Sequence, residues 1–138
     1  MWYNVGVRYK TRSNNHIVYI CTYHVVWCVK YRRPLLTDDI GERLKEIVAG
    51  VIEETGSELH EIETRPDHVH MVVGCDPSFG ITRLVRLIKG RTSHHLRQEY
   101  APLRTRVPSL WTNATFIATT GGAPFAAIKQ YIENQRHV

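Results

Sequence analysis

Two histidines separated by one residue, His68 and His70, are the first side chains in this sequence whose spacing could do chemistry. They lie in the segment HVHMVVG (68–74), which is rich in β-branched residues and predicts a short strand. Because strand side chains alternate between faces, both imidazoles point the same way, with Cα atoms roughly 6.6–7 Å apart. Two imidazoles at this separation can share one ion or one phosphate. The same spacing also fits two half-exposed histidines on an antiparallel strand that bind nothing. Which interpretation is correct depends on the partners that the rest of the chain supplies.

The last segment of the chain, APFAAIKQYIENQRHV (123–138), supplies candidate partners. Tyr131 and Gln135 are four residues apart and share one face of a helix. Two neutral imidazoles and an amide oxygen form an incomplete shell for a divalent cation, with positions left for phosphate oxygens. A phenol beside such a shell can be a nucleophile. Alternatively, the tyrosine packs and the glutamine lies on the surface. A separate apolar stripe would dock this helix, formed by Phe125, Ile128 and Ile132.

Hydrophobic periodicity predicts the elements that must position these groups. Helices are expected over 37–55, 80–99 and 123–138, and strands over 16–29, 57–64, 68–74 and 109–120. The first six elements follow the order of an α+β, ferredoxin-like (βαββαβ) sandwich, with one antiparallel sheet and helices on one face. The C-terminal helix is additional. In this arrangement Val69, Met71 and Val73 face the helices, and the two histidines face the open side of the sheet.

Length and composition bound the class of protein. The 138 residues suffice for a single domain (1–138), with a basic N-terminal arm over 1–15 and a basic loop between Pro102 and Pro108. The formal charge is +5, with 18 Lys and Arg against 13 Asp and Glu, which favours an anionic partner such as nucleic acid. No segment reaches the ~18 apolar residues of a membrane span, and the start lacks a signal-peptide core, so we expect a cytoplasmic protein.

The three cysteines form no CxxC pair, so neither a disulfide framework nor a zinc site is expected. They are interpreted as small, buried or half-buried residues. The residues concerned are Cys21, Cys28 and Cys75.

Basic residues outside the histidine pair are candidates for DNA binding, although each also fits a solvated surface. Contacts of this kind position a strand without reading its sequence. The candidates are Lys30, Arg32, Arg33, Arg83, Arg86, Lys89 and Arg91, with Arg104 and Arg106 in the basic loop. Three aromatic residues could stack on bases or pack in the core, namely Tyr23, Trp27 and Trp111.

Four segments together resemble a known family. HIVYICTYHVVWCVKYRRPLL, RPDHVHMVV, LIKGRTS and LWTNATFIATTGG…YIENQ occur in the order found in the single-tyrosine HUH transposases of small insertion sequences, which move single-stranded DNA. The resemblance runs from about residue 11 to the end. It implies that His68, His70 and Gln135 hold Mg²⁺ or Mn²⁺ and that Tyr131 is the nucleophile, forming a 5′-phosphotyrosine. It also implies hairpin DNA at the element ends as substrate, and a homodimer whose active sites combine residues of both chains.

Two other classes of protein remain open. One is a related HUH enzyme, either a domesticated transposase or a replication-initiator-type nuclease. The other is a non-catalytic module that binds single-stranded nucleic acid on an open sheet. The short chain and the single candidate tyrosine favour the transposase over these related HUH enzymes. The histidines, in place of exposed aromatic residues on the third strand, favour metal chemistry over the second.

The pair Gly121-Gly122 before the last helix suits a flexible lead-in.

Overall fold

The computed structural model describes residues 11–14, 16–119 and 125–135. It contains six strands: Arg12–Ser13 (β1), Val18–Tyr19 (β2), Thr22–Cys28 (β3), Glu58–Arg65 (β4), His68–Gly74 (β5) and Phe116–Thr119 (β6). Four α-helices span Asp38–Thr55 (α1), Ile81–Glu99 (α2), Ala101–Thr105 (α3) and Phe125–Asn134 (α4). A single 3₁₀ turn covers Lys30–Arg32.

The main sheet has four antiparallel strands in the order β4-β5-β3-β6, and β1 and β2 form a separate two-stranded hairpin. Helix α1 connects β3 to β4, and α2 precedes the chain's return to β6 at the opposite edge. This topology places β3 and β5 side by side in the middle of the sheet. The predicted combination of an antiparallel sheet with helices is confirmed.

Both long helices bury one apolar face against the same side of the sheet. Helix α1 has acidic residues in its first turn and ends at Gly56, whose φ of 68° suits a residue without a Cβ. The core contains Leu44, Val48, Leu84, Ile88 and Leu96 from the helices and Val25, Trp27, Val69, Met71 and Val73 from the strands. Alternate residues of β5 therefore belong to the core, as the period of two predicts.

Several boundaries differ from the sequence predictions. The predicted strand 16–29 is divided into β2 and β3, and the predicted strand 109–120 contracts to β6, with Trp111 making only an isolated bridge to Val29. The predicted basic loop contains α3, because Pro102 occupies the first turn, where a missing N–H costs nothing. Part of the predicted arm pairs as β1. Residues 1–10 and the Gly121-Gly122 pair lie outside the described residues.

The aromatic and sulfur-containing side chains mostly pack in the core. Trp27 and Trp111 are buried and contact each other edge to face, with ring centroids 5.9 Å apart. Cys28 and Cys75 are buried, Cys21 is half-buried, and all three are free thiols. No helix in the described part of the chain is long and apolar enough to cross a membrane.

Candidate active site

The face of the sheet opposite α1 and α2 carries both predicted histidines. Across β3 and β5, Cys28 lies opposite His68 and Val26 lies opposite His70. Both histidines are half-buried, whereas Val26 and Cys28 are fully buried. This face is therefore covered in part, although the sequence predicted it to be open.

His68 is oriented by the residue before it. Its Nδ1 lies 2.8 Å from Oδ1 of Asp67, and Oδ2 of Asp67 accepts a hydrogen bond from Nε of Arg32 at 2.9 Å. Burial acts to raise the pKa of Asp67, but the hydrogen bonds from His68 and Arg32 outweigh it and hold that pKa below its usual range. A carboxylate on Nδ1 fixes the ring and leaves Nε2 for a ligand, as is common for metal-binding histidines.

His70 has a histidine partner that the sequence prediction missed. Nδ1 of His24 lies 3.1 Å from Nε2 of His70, and the two rings stack. Burial and the neighbouring His24 lower the pKa of His70, which favours the neutral ring that can bind a cation. The sequence did contain a signal for this partner, because YHVVW, which includes His24, and HVHMV, which includes His70, are both strand-like segments. However, the antiparallel register was needed to place His24 on this face.

Helix α4 lies over the same face of the sheet, against β3 of its own chain. The ring of Tyr131 contacts that of Phe116, with centroids 5.5 Å apart, and Phe116 lies opposite Val26 in the sheet. The carbonyl oxygen of Ile132 accepts a hydrogen bond from Nη1 of Arg32 at 3.4 Å. The structure thus brings the predicted nucleophile onto the face that carries the histidines.

Two polar atoms on α4 and at its C-terminal end are buried without a partner. The hydroxyl of Tyr131 and Oε1 of Gln135 make no hydrogen bond within the described part of the chain. Burial, and the thiol of Cys28 to a smaller degree, raise the pKa of Tyr131 to about 12, with Thr112 acting in the opposite direction. Buried polar groups in folded proteins are nearly always paired, so such atoms indicate a ligand or a reactive role.

The residues predicted to bind a metal carry nitrogen and oxygen donors. His68 and His70 can offer imidazole nitrogens, and the amide oxygen of Gln135 accepts no hydrogen bond from any described residue. Among the described residues no group of three or more His, Cys, Asp or Glu side chains is placed to hold a metal. A site here would therefore depend on the amide of Gln135 as its third protein ligand.

The predicted DNA-binding residues fall into two groups. Arg33, Arg83 and Arg86 are exposed, and the guanidinium of Arg83 lies over the ring of Phe79, 4.4 Å from its centroid. Lys30 lies over the ring of Tyr31 at 5.2 Å. These four remain available for an anionic partner.

Of the other predicted DNA contacts, Arg106 is exposed, and the remaining four have protein partners. Lys89 is not on a solvated face as expected: its ammonium donates to the carbonyls of Thr112 and Ala114 and to the hydroxyl of Thr115. Burial lowers its pKa to about 8. Arg91 pairs with Glu54, and Arg104 donates to helix carbonyls. Arg32 donates to the carboxylate of Asp67 and to the carbonyl of Ile132.

A groove of about 610 Å³ lies between α2 and the segment 109–117. Arg86 and Lys89 line it, together with Trp111 and Asn113. Among the lining residues, Arg86 is exposed and Lys89 is half-buried.

Comparison with known proteins identifies the family. The profile described as "Transposase IS200 like" matches residues 17–135. The ISDra2 transposase TnpA of Deinococcus radiodurans is 32% identical over 120 residues, which cover 86% of each chain. The transposase of insertion sequence element IS200 from Salmonella typhimurium is 25% identical over 126 residues, covering 90% of this chain and 82% of that protein.

Two solved structures share the fold. The crystal structure of a Deinococcus radiodurans transposase superposes with a TM-score of 0.82 at 30% identity, covering 92% of this chain and 99% of that one. A REP-associated tyrosine transposase bound to a REP hairpin superposes with a TM-score of 0.54 at 13% identity, covering 88% and 69%. The chain belongs to the IS200-like transposase family, and the resemblance inferred from its sequence motifs is confirmed.

Proposed function

We propose that this transposase cleaves and rejoins single-stranded DNA at insertion-sequence ends through a 5′-phosphotyrosine intermediate. The observation that carries the proposal is the position of Tyr131 and Gln135. Their oxygens are buried without a partner among the described residues, and helix α4 lies over the sheet face that holds His68 and His70. We further assign the fold to the ferredoxin-like class, because the strand order β4-β5-β3-β6 with α1 in the first crossover follows that topology.

The reaction is a transesterification that conserves one phosphodiester bond. The oxygen of Tyr131 attacks phosphorus, a Tyr–O–P bond forms, and the P–O3′ bond breaks. The proton leaves the phenol, and the departing oxygen becomes a free 3′-OH. A strand with a 3′-OH can later attack the phosphotyrosine, which reverses the step and joins the new strand without an energy cofactor.

The metal centre is assigned to His68, His70 and Gln135. Mg²⁺ or Mn²⁺ bound there would act as a Lewis acid on the phosphate oxygens. Asp67 holds the ring of His68, and burial together with His24 lowers the pKa of His70, which favours its neutral form. Because the pKa of Tyr131 is about 12, its proton must be accepted as the bond to phosphorus forms.

The proposed substrate is hairpin DNA bound by a homodimer, in which the two chains together supply two active sites. An anionic partner is supported by the formal charge of +5, by the exposed Arg33, Arg83 and Arg86, and by the half-buried Lys30. The structural neighbour that holds a REP hairpin supports a hairpin substrate. One tyrosine per chain cuts one strand, and excision of a segment needs two cuts.

The test is a covalent adduct. The protein is incubated with single-stranded hairpin oligonucleotides and Mg²⁺ or Mn²⁺, and a denaturant-resistant protein–DNA adduct is expected. Tyr131→Phe should abolish it, whereas Tyr31→Phe, at an exposed tyrosine, should not. An adduct that persists in Tyr131→Phe rejects the nucleophile. No adduct on any single-stranded substrate favours the binding module, and cleavage without rejoining favours an initiator-type nuclease.

A further inference from the structure

The turn after β3 has an unusual backbone. Among the described residues, Tyr31 (φ 59°) and Arg32 (φ 52°) are the two non-glycine residues with positive φ. Side chains with a Cβ rarely adopt this left-handed region, and two in succession persist only where surrounding contacts hold them. Contacts with other segments of the chain must therefore stabilise this turn.

The contacts that hold the turn lead to the residues before His68. The N–H of Val29 donates to the carbonyl of Asp67 and that of Leu36 donates to the carbonyl of Pro66, both at 2.9 Å. The two ends of the segment 29–36 are thus fixed to the connection between β4 and β5. Between them, the left-handed turn directs the guanidinium of Arg32 back toward Asp67.

One guanidinium then contacts both halves of the candidate site. Nε of Arg32 donates to Oδ2 of Asp67 at 2.9 Å, and the other carboxylate oxygen lies 2.8 Å from Nδ1 of His68. Nη1 of the same guanidinium donates to the carbonyl of Ile132, the residue after Tyr131, at 3.4 Å. The side chains of Arg32 and Asp67 are only 19% and 20% exposed.

We propose that Arg32 is a positioning residue, which fixes His68 through Asp67 and seats the helix that carries Tyr131. This replaces the sequence expectation that Arg32 contacts DNA phosphate. The assignment to metal and nucleophile rests on the proposed function. Lysine carries its donors on one nitrogen at the end of a flexible stem and cannot reproduce the fixed spacing of Nε and Nη1, so the role requires arginine.

The test compares Arg32→Lys with Arg43→Lys, an arginine of α1 that also pairs with a carboxylate, since neither substitution changes the charge. Calorimetric titration of the DNA-free protein with Mn²⁺ should show about tenfold weaker binding for Arg32→Lys, the lower end of what the loss of a ligand-orienting contact costs. Adduct formation at saturating oligonucleotide should slow, whereas the DNA affinity should not change. Arg43→Lys should match the wild type in all three measurements.

A second variant separates positioning from folding and from DNA contact. Asp67→Asn leaves the charge of Arg32 in place but breaks the ion pair. We expect the same loss of Mn²⁺ affinity, and the double variant should lose no more than either single one, because coupled residues are not additive. Thermal unfolding without metal reports any general loss of stability.

Wild-type Mn²⁺ affinity in both Arg32→Lys and Asp67→Asn would overturn the proposal. So would a decrease in the salt slope of single-strand DNA binding by about 0.7 in Arg32→Ala, the signature of one lost phosphate contact. If the wild-type protein forms no adduct, the proposed function fails. The dependence of Mn²⁺ affinity on Arg32 is measured without DNA and would still be decided.

Discussion

Nδ1 of His24 lies 3.1 Å from Nε2 of His70, and the two ring centroids are 5.3 Å apart. His68 and His70 therefore differ in their partners: the first has a carboxylate on Nδ1, and the second has an imidazole on Nε2. A cation that binds Nε2 of His70 must displace His24. The two histidines are therefore not equivalent as candidate metal ligands.

This difference predicts that His24→Ala binds Mn²⁺ more tightly than the wild type. The expected gain is about two- to tenfold, the equivalent of one typical hydrogen bond. Calorimetry on the DNA-free protein measures it. Val72→Ala removes the side chain opposite His24 in the sheet and controls for loosened packing. Weaker binding in His24→Ala alone would instead show that His24 assists the metal site.

Gln135 offers a test of the third ligand. Gln135→Leu removes a buried oxygen that has no described partner, so the metal-free protein should be as stable or about 1 kcal/mol more stable. Its Mn²⁺ affinity should fall, whereas Gln135→Glu, which keeps an oxygen there, should still bind. Gln130→Leu, at an exposed position on α4, should change neither property. Unchanged Mn²⁺ affinity in Gln135→Leu would remove this residue from the site.

Tyr131→Phe should separate stability from chemistry. The hydroxyl is buried without a described partner, so its removal should raise the free energy of unfolding by about 1 kcal/mol or leave it unchanged. Urea unfolding measures this, with Tyr31→Phe at an exposed ring as the control. A loss of stability in Tyr131→Phe would show that the hydroxyl has a structural partner, which weakens its assignment as a nucleophile.

The elements that carry the site could be predicted from local pattern. The apolar period of α1 and the alternation of β5 place Leu44, Val48, Val69 and Met71 in the core, and the structure agrees. These predictions succeed because one buried face of a helix or strand repeats at a fixed interval. The spacing of His68 and His70 is part of that alternation and was equally accessible.

The network around the histidines could not be predicted in this way. Asp67 and Arg32 are distant in sequence, and their contact depends on a left-handed turn at two residues that are not glycine. Lys89 occurs in a helical segment that alternates basic and apolar residues. Only the fold shows that the loop after α3 approaches it closely enough to accept three hydrogen bonds. Such contacts join distant segments and leave no periodic signal.

Lys89 should make stability depend on pH at the alkaline end. Its pKa is about 8 in the folded protein, below the ordinary value of 10.5. Between these values the unfolded chain binds a proton that the folded chain has released, so stability from this group rises with pH. The unfolding free energy of the wild type minus that of Lys89→Met should therefore increase from pH about 8 to pH 10.5. A decrease in this difference with rising pH would mean that the three acceptors of Lys89 keep it charged.

Arg86 is expected to contact DNA, in contrast to Lys89 on the same helix. Its side chain is exposed at the rim of the groove beside α2. Arg86→Gln should weaken DNA binding and reduce the slope of log K against log salt by about 0.7 for a single-stranded site or about 0.9 for a duplex stem. The size of the change would thus also show which part of a hairpin lies there. Lys45→Gln removes the same charge from α1 and controls for net charge. An unchanged slope in Arg86→Gln would exclude a phosphate contact at this position.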